Sequence, residues 1–158
     1  KEQSLKDDEI KTEVEKLKRA YTKWNSEGDF AFFGTIKFLD GWRINDYIVR
    51  KRTCYFFNML DRKVLGQKTV RQGIRLRRMV YIEKGKSREN RHIHFYTKGI
   101  TAKQNKEIIK QAHKLFEKVT NAHDLQIVGL SKHERIAGYC SKEIDTLETE
   151  VLILDCTH

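Results

Sequence analysis

The sequence predicts an α+β domain on a ferredoxin-like split-βαβ core, a mainly antiparallel sheet of about five strands with helices packed on one face. Three observations carry this. Apolar residues recur at three- and four-residue steps in some segments and alternate in others. After an initial helix the segments run βαββαβ, then αβ. The chain has 158 residues, 39% of them hydrophobic, which suits one domain with a true core.

Each element follows from local signals. A helix over 5–24 opens at Asp7 and Asp8, carries Ile10, Val14, Leu17, Tyr21 and Trp24 as an apolar stripe, and stops at Gly28. This gives a helical extension over 1–28 and a main domain over 29–158. A strand over 30–39 closes at the Asp40-Gly41 turn, and a helix over 45–65 stops at Gly66. In the strand over 74–83, Ile74, Leu76, Arg78, Val80 and Ile82 share one face. It forms a hairpin through the polar turn GKSREN with a strand over 91–98. Thr101 and Gln104 have capping-box spacing and open a helix bearing Ile108, Ala112, Leu115 and Val119. A short strand over 125–130 follows. Ser131 and Glu134 then open a helix to about Ile144, and a strand over 150–154 ends the chain.

Charge points to a partner class. Lys+Arg total 32 against 22 Asp+Glu, a net +10 with pI near 9.5, which favours nucleic acid through phosphate neutralisation. Arg71, Arg75, Arg77 and Arg78, with Lys51 and Arg52, form a candidate nucleic-acid track, and Trp42 is a candidate for base stacking. No run approaches the roughly 20 apolar residues of a membrane span. The first ten residues are charged, so no secretory signal is expected, and opening on Lys1 suggests an excerpt of a longer protein. Cys54, Cys140 and Cys156 are scattered and odd in number, which predicts reduced thiols and an intracellular setting.

Two groups of residues suit chemistry. His92 and His94 stand two apart on a strand, so both imidazoles leave one face while Ile93 and Phe95 enter the other. Six histidines in this length give roughly 0.2 chance His-X-His occurrences, which makes the pair moderately specific. Glu83 ends the preceding strand and can lie beside them across the hairpin. Two imidazoles and a carboxylate suit a divalent ion, Mn²⁺ or Mg²⁺ with Zn²⁺ possible, with positions left for phosphate oxygens. The second group is Tyr139-Cys140-Ser141-Lys142, where Arg135, Tyr139 and Lys142 share a helix face. A tyrosine between two cations is suited to meet a phosphodiester, but Tyr81 and Lys84 repeat the spacing, so spacing alone favours a structural tyrosine.

The order FFGTIKF, RHIHFY, YCSK, on a strand, a strand and a helix, resembles the HUH endonuclease superfamily over roughly residues 30–145. Within it, the single-tyrosine rolling-circle replication initiators of viruses, phages and plasmids are the nearest in pattern. The resemblance implies His92 and His94 as the metal pair, Glu83 as the acidic third ligand, Tyr139 as nucleophile and Lys142 as its companion lysine. It implies nicking of single-stranded DNA at a replication origin through a 5′-phosphotyrosyl bond. Positions four either side of Tyr139 are Arg135 and Glu143, which fits the single-tyrosine type. A single-tyrosine transposase shares the motif order, and a non-catalytic nucleic-acid-binding domain remains the alternative. No GxxxxGK[ST] sequence is present, so unwinding would fall to a helicase domain of the parent protein or of the host.

Overall fold

The structure, a computed structural model, describes residues 2–84, 90–120, 122–130, 152–153 and 157. These fall into two compact units. One contains helix α1 (Glu2–Glu27), and the other holds the described residues from Phe30 onward.

α1 is a 26-residue helix whose surface carries the short-range ion pairs Lys16–Glu13, Lys18–Glu15 and Lys23–Glu27. Such exposed pairs add only tenths of a kcal/mol each, about 0.3–0.5. Of the expected apolar stripe only Val14 is buried, while Ile10 and Trp24 are exposed. Helical spacing fixed which residues share a face but not whether that face meets a core.

The second unit is an open four-stranded sheet in the order β2-β3-β1-β4, every neighbouring pair antiparallel. β1 (Phe32–Phe38) lies between β3 (His92–Lys98) and β4 (Ala122–Gly129), and β2 (Arg77–Glu83) is at one end. β1 and β2 therefore run parallel with β3 inserted between them, as a split βαβ requires. The expected fifth strand over 150–154 does not appear among the described residues. There, Leu152 makes an isolated bridge to Tyr81, and Ile153 donates its N–H to the Val80 carbonyl at 2.8 Å. The contact covers part of the β2 edge, which would otherwise offer bare backbone groups.

Two long helices cover one face. α2 (Asp46–Leu65) starts where Asn45 Oδ1 accepts the Ile48 N–H at 3.0 Å and ends at Gly66, whose φ of 86° suits a residue without Cβ. A short α3 (Gln67–Arg71) follows, an element absent from the periodicity because it is one turn long. α4 (Ala102–Thr120) opens as the Thr101–Gln104 spacing predicts. Thr101 Oγ1 accepts the Gln104 N–H, and Gln104 Oε1 accepts the Ile100 N–H one residue ahead of the cap. Between helices and sheet lies one core containing Ile36, Phe57, Val80, Ile93, Phe95 and Ile108, all fully buried. Phe57 meets Phe95 edge-on with centroids 5.2 Å apart. Strand alternation therefore sends Val80, Ile82, Ile93 and Phe95 toward the helices and Tyr81, Glu83, His92 and His94 to the opposite face.

Cys54, expected as a reduced thiol, is disulfide-bonded, so cysteine usage no longer argues for a reducing compartment. No helix among the described residues is long and apolar enough to cross a membrane.

Candidate metal centre

The hairpin register builds the site. Glu83 is the direct partner of His92 across β2 and β3, and Tyr81 is the partner of His94. On the other side of β3, Lys37 faces His92 and Thr35 faces His94. Side chains at paired positions on one face stand about 4.5–5.5 Å apart at Cβ, so this register brings one carboxylate to both imidazoles.

The result is a tight cluster. Glu83 Oε2 lies 2.8 Å from His92 Nε2 and in close contact with His94 Nε2. One ligand atom from each residue lies within 4.8 Å of the others. Glu83 and His94 are almost fully buried, while His92 is partly open, which leaves the approach on its side.

Outer contacts fix which nitrogen faces the centre. His92 Nδ1 lies 3.2 Å from the Asn90 carbonyl, a group that only accepts, so a neutral ring carries its proton on Nδ1 and its lone pair on Nε2. Thr35 Oγ1 lies 2.9 Å from His94 Nδ1 and can accept its proton in the same way. Phe33 stacks on His94 at 5.4 Å and 16°, holding the ring plane. With both protons on Nδ1, two imidazole lone pairs and a carboxylate oxygen converge, and acceptors meeting in a buried place need a proton or a cation between them. The donor set fits a divalent cation with open positions for further oxygens. Glu83, His92 and His94 lie close together and could bind a metal ion.

The strand ends that carry the triad are braced. Asp46, in the first turn of α2, accepts from Arg91 Nε at 2.6 Å and pairs with Lys84 at 3.3 Å. Burial raises the Asp46 pKa, but the Arg91 hydrogen bond and Lys84 outweigh it and hold the carboxyl below its usual 3.8. Gly41 accepts the Arg91 N–H at 3.0 Å. A Cβ at Gly41 would come within 2.5 Å of Asn90 Oδ1 and 2.6 Å of the Arg91 carbonyl, so the turn after β1 can press on the start of β3 only as glycine.

The expected nucleic-acid residues divide by environment. Arg78 is 1% exposed and bonds Asp61 through both terminal nitrogens, at 2.7 and 3.0 Å. Arg75 donates to the carbonyls of Val70 and Ile74 and lies 3.6 Å from Asp61. Arg52 makes a two-point bond to Asp40 at 2.7 and 3.0 Å. These three guanidiniums are engaged in holding the fold. Lys51, Arg71 and Arg77 are exposed, and Arg77 lies 5.4 Å over the Phe30 ring. Arg135, Tyr139 and Lys142 lie outside the described residues. Tyr81, which shares the Tyr-X-X-Lys spacing, is fully buried.

Sequence reasoning missed Thr35 and the Asn90 carbonyl, because both reach the imidazoles only through strand pairing and turn geometry. The burial of Arg78 did leave a signal, since that arginine occupies the apolar row of its strand.

No family model matches the chain, and the comparisons with curated proteins and with solved structures gave no match.

Proposed function

We propose that the protein is a metal-dependent, site-specific nicking and joining enzyme of the HUH kind, acting on single-stranded DNA at a replication origin. The convergence of Glu83, His92 and His94 on one point supports this reading best. A cation held there, Mn²⁺ or Mg²⁺, would polarise the scissile phosphate and offset the charge that builds on its oxygens. Glu83 supplies the anionic ligand, and the Asn90 carbonyl and Thr35 keep both imidazoles turned toward it. Tyr139, assigned by its motif, attacks the phosphorus. A phenol O–P bond forms and the P–O3′ bond breaks. The phenolic proton passes to solvent, and the departing 3′-oxygen takes one up. The products are a 5′-phosphotyrosyl bond and a free 3′-OH that can prime synthesis, and attack by a 3′-OH reverses the step. Lys142 positions the phosphate or lowers the phenol pKa from its usual value near 10. Lys51, Arg71 and Arg77, with Arg135, neutralise flanking phosphates, so binding weakens steeply with salt. A helicase, on the parent protein or from the host, would supply unwound DNA.

The test is a denaturing gel of wild type and Tyr139→Phe with single-stranded DNA, in Mn²⁺ and in EDTA. A covalent protein–DNA band that needs both the metal and Tyr139 is expected. No band on a broad pool of sequences and hairpins would leave a nucleic-acid-binding domain without chemistry. A band restricted to hairpin ends would point to a transposase.

A further inference from the structure

Three large aromatic side chains stand exposed within one stretch of the main unit: Trp42 at 62%, Tyr47 at 67% and Tyr55 at 53%. None serves the core. Trp42 belongs to the turn between β1 and α2, and the Arg43 guanidinium lies 4.6 Å over its ring. Tyr47, Lys51 and Tyr55 follow four-residue steps along the outer side of α2. A cavity of about 320 Å³ opens there, lined by Ile48, Lys51, Arg52 and Tyr55, at the small end of the range for ligand pockets.

The surface is prearranged. Arg52 in the cavity wall is fixed by its two-point bond to Asp40, and the Asp40 carbonyl accepts the Arg43 N–H at 2.8 Å. The same turn is tied to the triad strand through Gly41 and Arg91, next to His92. The turn therefore joins the start of the triad strand to the start of α2, whose outer face lies on the helix side of the sheet. Exposed rings interleaved with cations bind single strands with little regard to sequence, because every base has a stacking face and every linkage a charge. The chain's net +10 favours an anionic occupant over an apolar protein segment.

We propose that the turn at Trp42 and the outer face of α2 form a stacking track for the single-stranded nucleic acid substrate. Tyr55 takes a base over the cavity, Lys51 meets the adjoining phosphate, and Trp42 stacks at the turn that leads into α2. The proposal rests on the nicking reading for its place in the reaction, but its binding test does not require cleavage.

The experiment is fluorescence anisotropy of labelled oligo-dT in EDTA, with folding of each variant checked by thermal unfolding. Tyr55→Ala should weaken binding roughly tenfold, and Tyr55→Phe, which keeps the ring, should bind like wild type. Lys51→Gln should reduce the slope of log K against log salt by about 0.7. In a Trp24→Phe background, saturating oligo-dT should quench the remaining Trp42 emission. Wild-type affinity in both Tyr55→Ala and Lys51→Gln, or no binding of oligo-dT by wild type, would overturn the track and leave that face to a protein partner. A metal-dependent adduct with unchanged affinities defeats the track alone. Loss of binding in Tyr55→Ala without any adduct defeats the nicking reading alone.

Discussion

Strand β2 carries two buried carboxylate centres on opposite faces, and they are built on opposite logic. On the helix side Arg78 meets Asp61, which is fully buried and receives the Leu76 N–H and both terminal nitrogens of Arg78, with Arg75 nearby. Among the described residues, its hydrogen-bond and ion-pair partners are N–H donors and cations. On the other face Glu83 meets two imidazoles, and with their protons held on Nδ1 by the outer contacts both lone pairs face it. Burial lowers the Arg78 pKa, and the Asp61 charge opposes that effect, so the pair is closed electrostatically without outside help. The Glu83 cluster needs a proton or a cation to become so. A buried carboxylate ringed by cations and N–H donors is complete in itself, whereas one facing two imidazoles could also take a metal ion.

The largest effect should come from breaking the closed centre. Asp61→Ala strands a buried guanidinium and should cost about 3–5 kcal/mol, read as a lower urea midpoint. A loss comparable to a surface substitution would erase the contrast between the two centres.

The reverse is expected of Glu83→Gln. Its amide can donate to an imidazole lone pair, so metal-free stability should change by less than about 1 kcal/mol. Wild type in Mn²⁺ at a hundred times its Kd should gain about 2.7 kcal/mol, and this variant should gain nothing. If Glu83→Gln in EDTA destabilised as much as Asp61→Ala, Glu83 would be structural and the metal reading would fall.

Thr35→Val probes the outer contact. Losing the partner of His94 Nδ1 should weaken Mn²⁺ binding by about 10–100-fold, measured by calorimetry, with little change in metal-free stability. Unchanged affinity would mean that the register alone holds the ring.

The smallest effect is electrostatic bracing on the exposed side. The Arg52 hydrogen bond holds the Asp40 carboxyl below its usual 3.8. Its contribution is therefore complete above that value and is lost as pH falls through the lowered folded pKa. Asp40→Asn should flatten the acid limb of stability against pH in urea titrations and leave the neutral region nearly unchanged. An acid limb identical to wild type would show that solvent already screens the pair.

Part of the site is legible in the residues alone. The alternation around His92-Ile93-His94 determines that both imidazoles leave the same face, because a strand has a period of two. The polar turn between two alternating segments brings Glu83 near the imidazoles, and strand pairing sets it directly opposite His92. The Thr101–Gln104 spacing marks the start of α4 through its side-chain acceptor. Composition determines the basic charge.

Only the tertiary structure decides the rest, for one reason: burial and non-local pairing have no local signature. Arg52, Arg75 and Arg78 read like a DNA track until Asp40 and Asp61, distant in sequence or on another element, claim them. Trp24 reads like core until α1 leaves it exposed. Thr35 becomes a partner of His94 only because β1 pairs with β3, a contact that closes a loop of dozens of residues. The sequence determined which groups could bind a cation and which face they take, through the fixed geometry of the strand. Folding decided which charges are spent inside and which remain for a ligand, because only packing selects each group's neighbours.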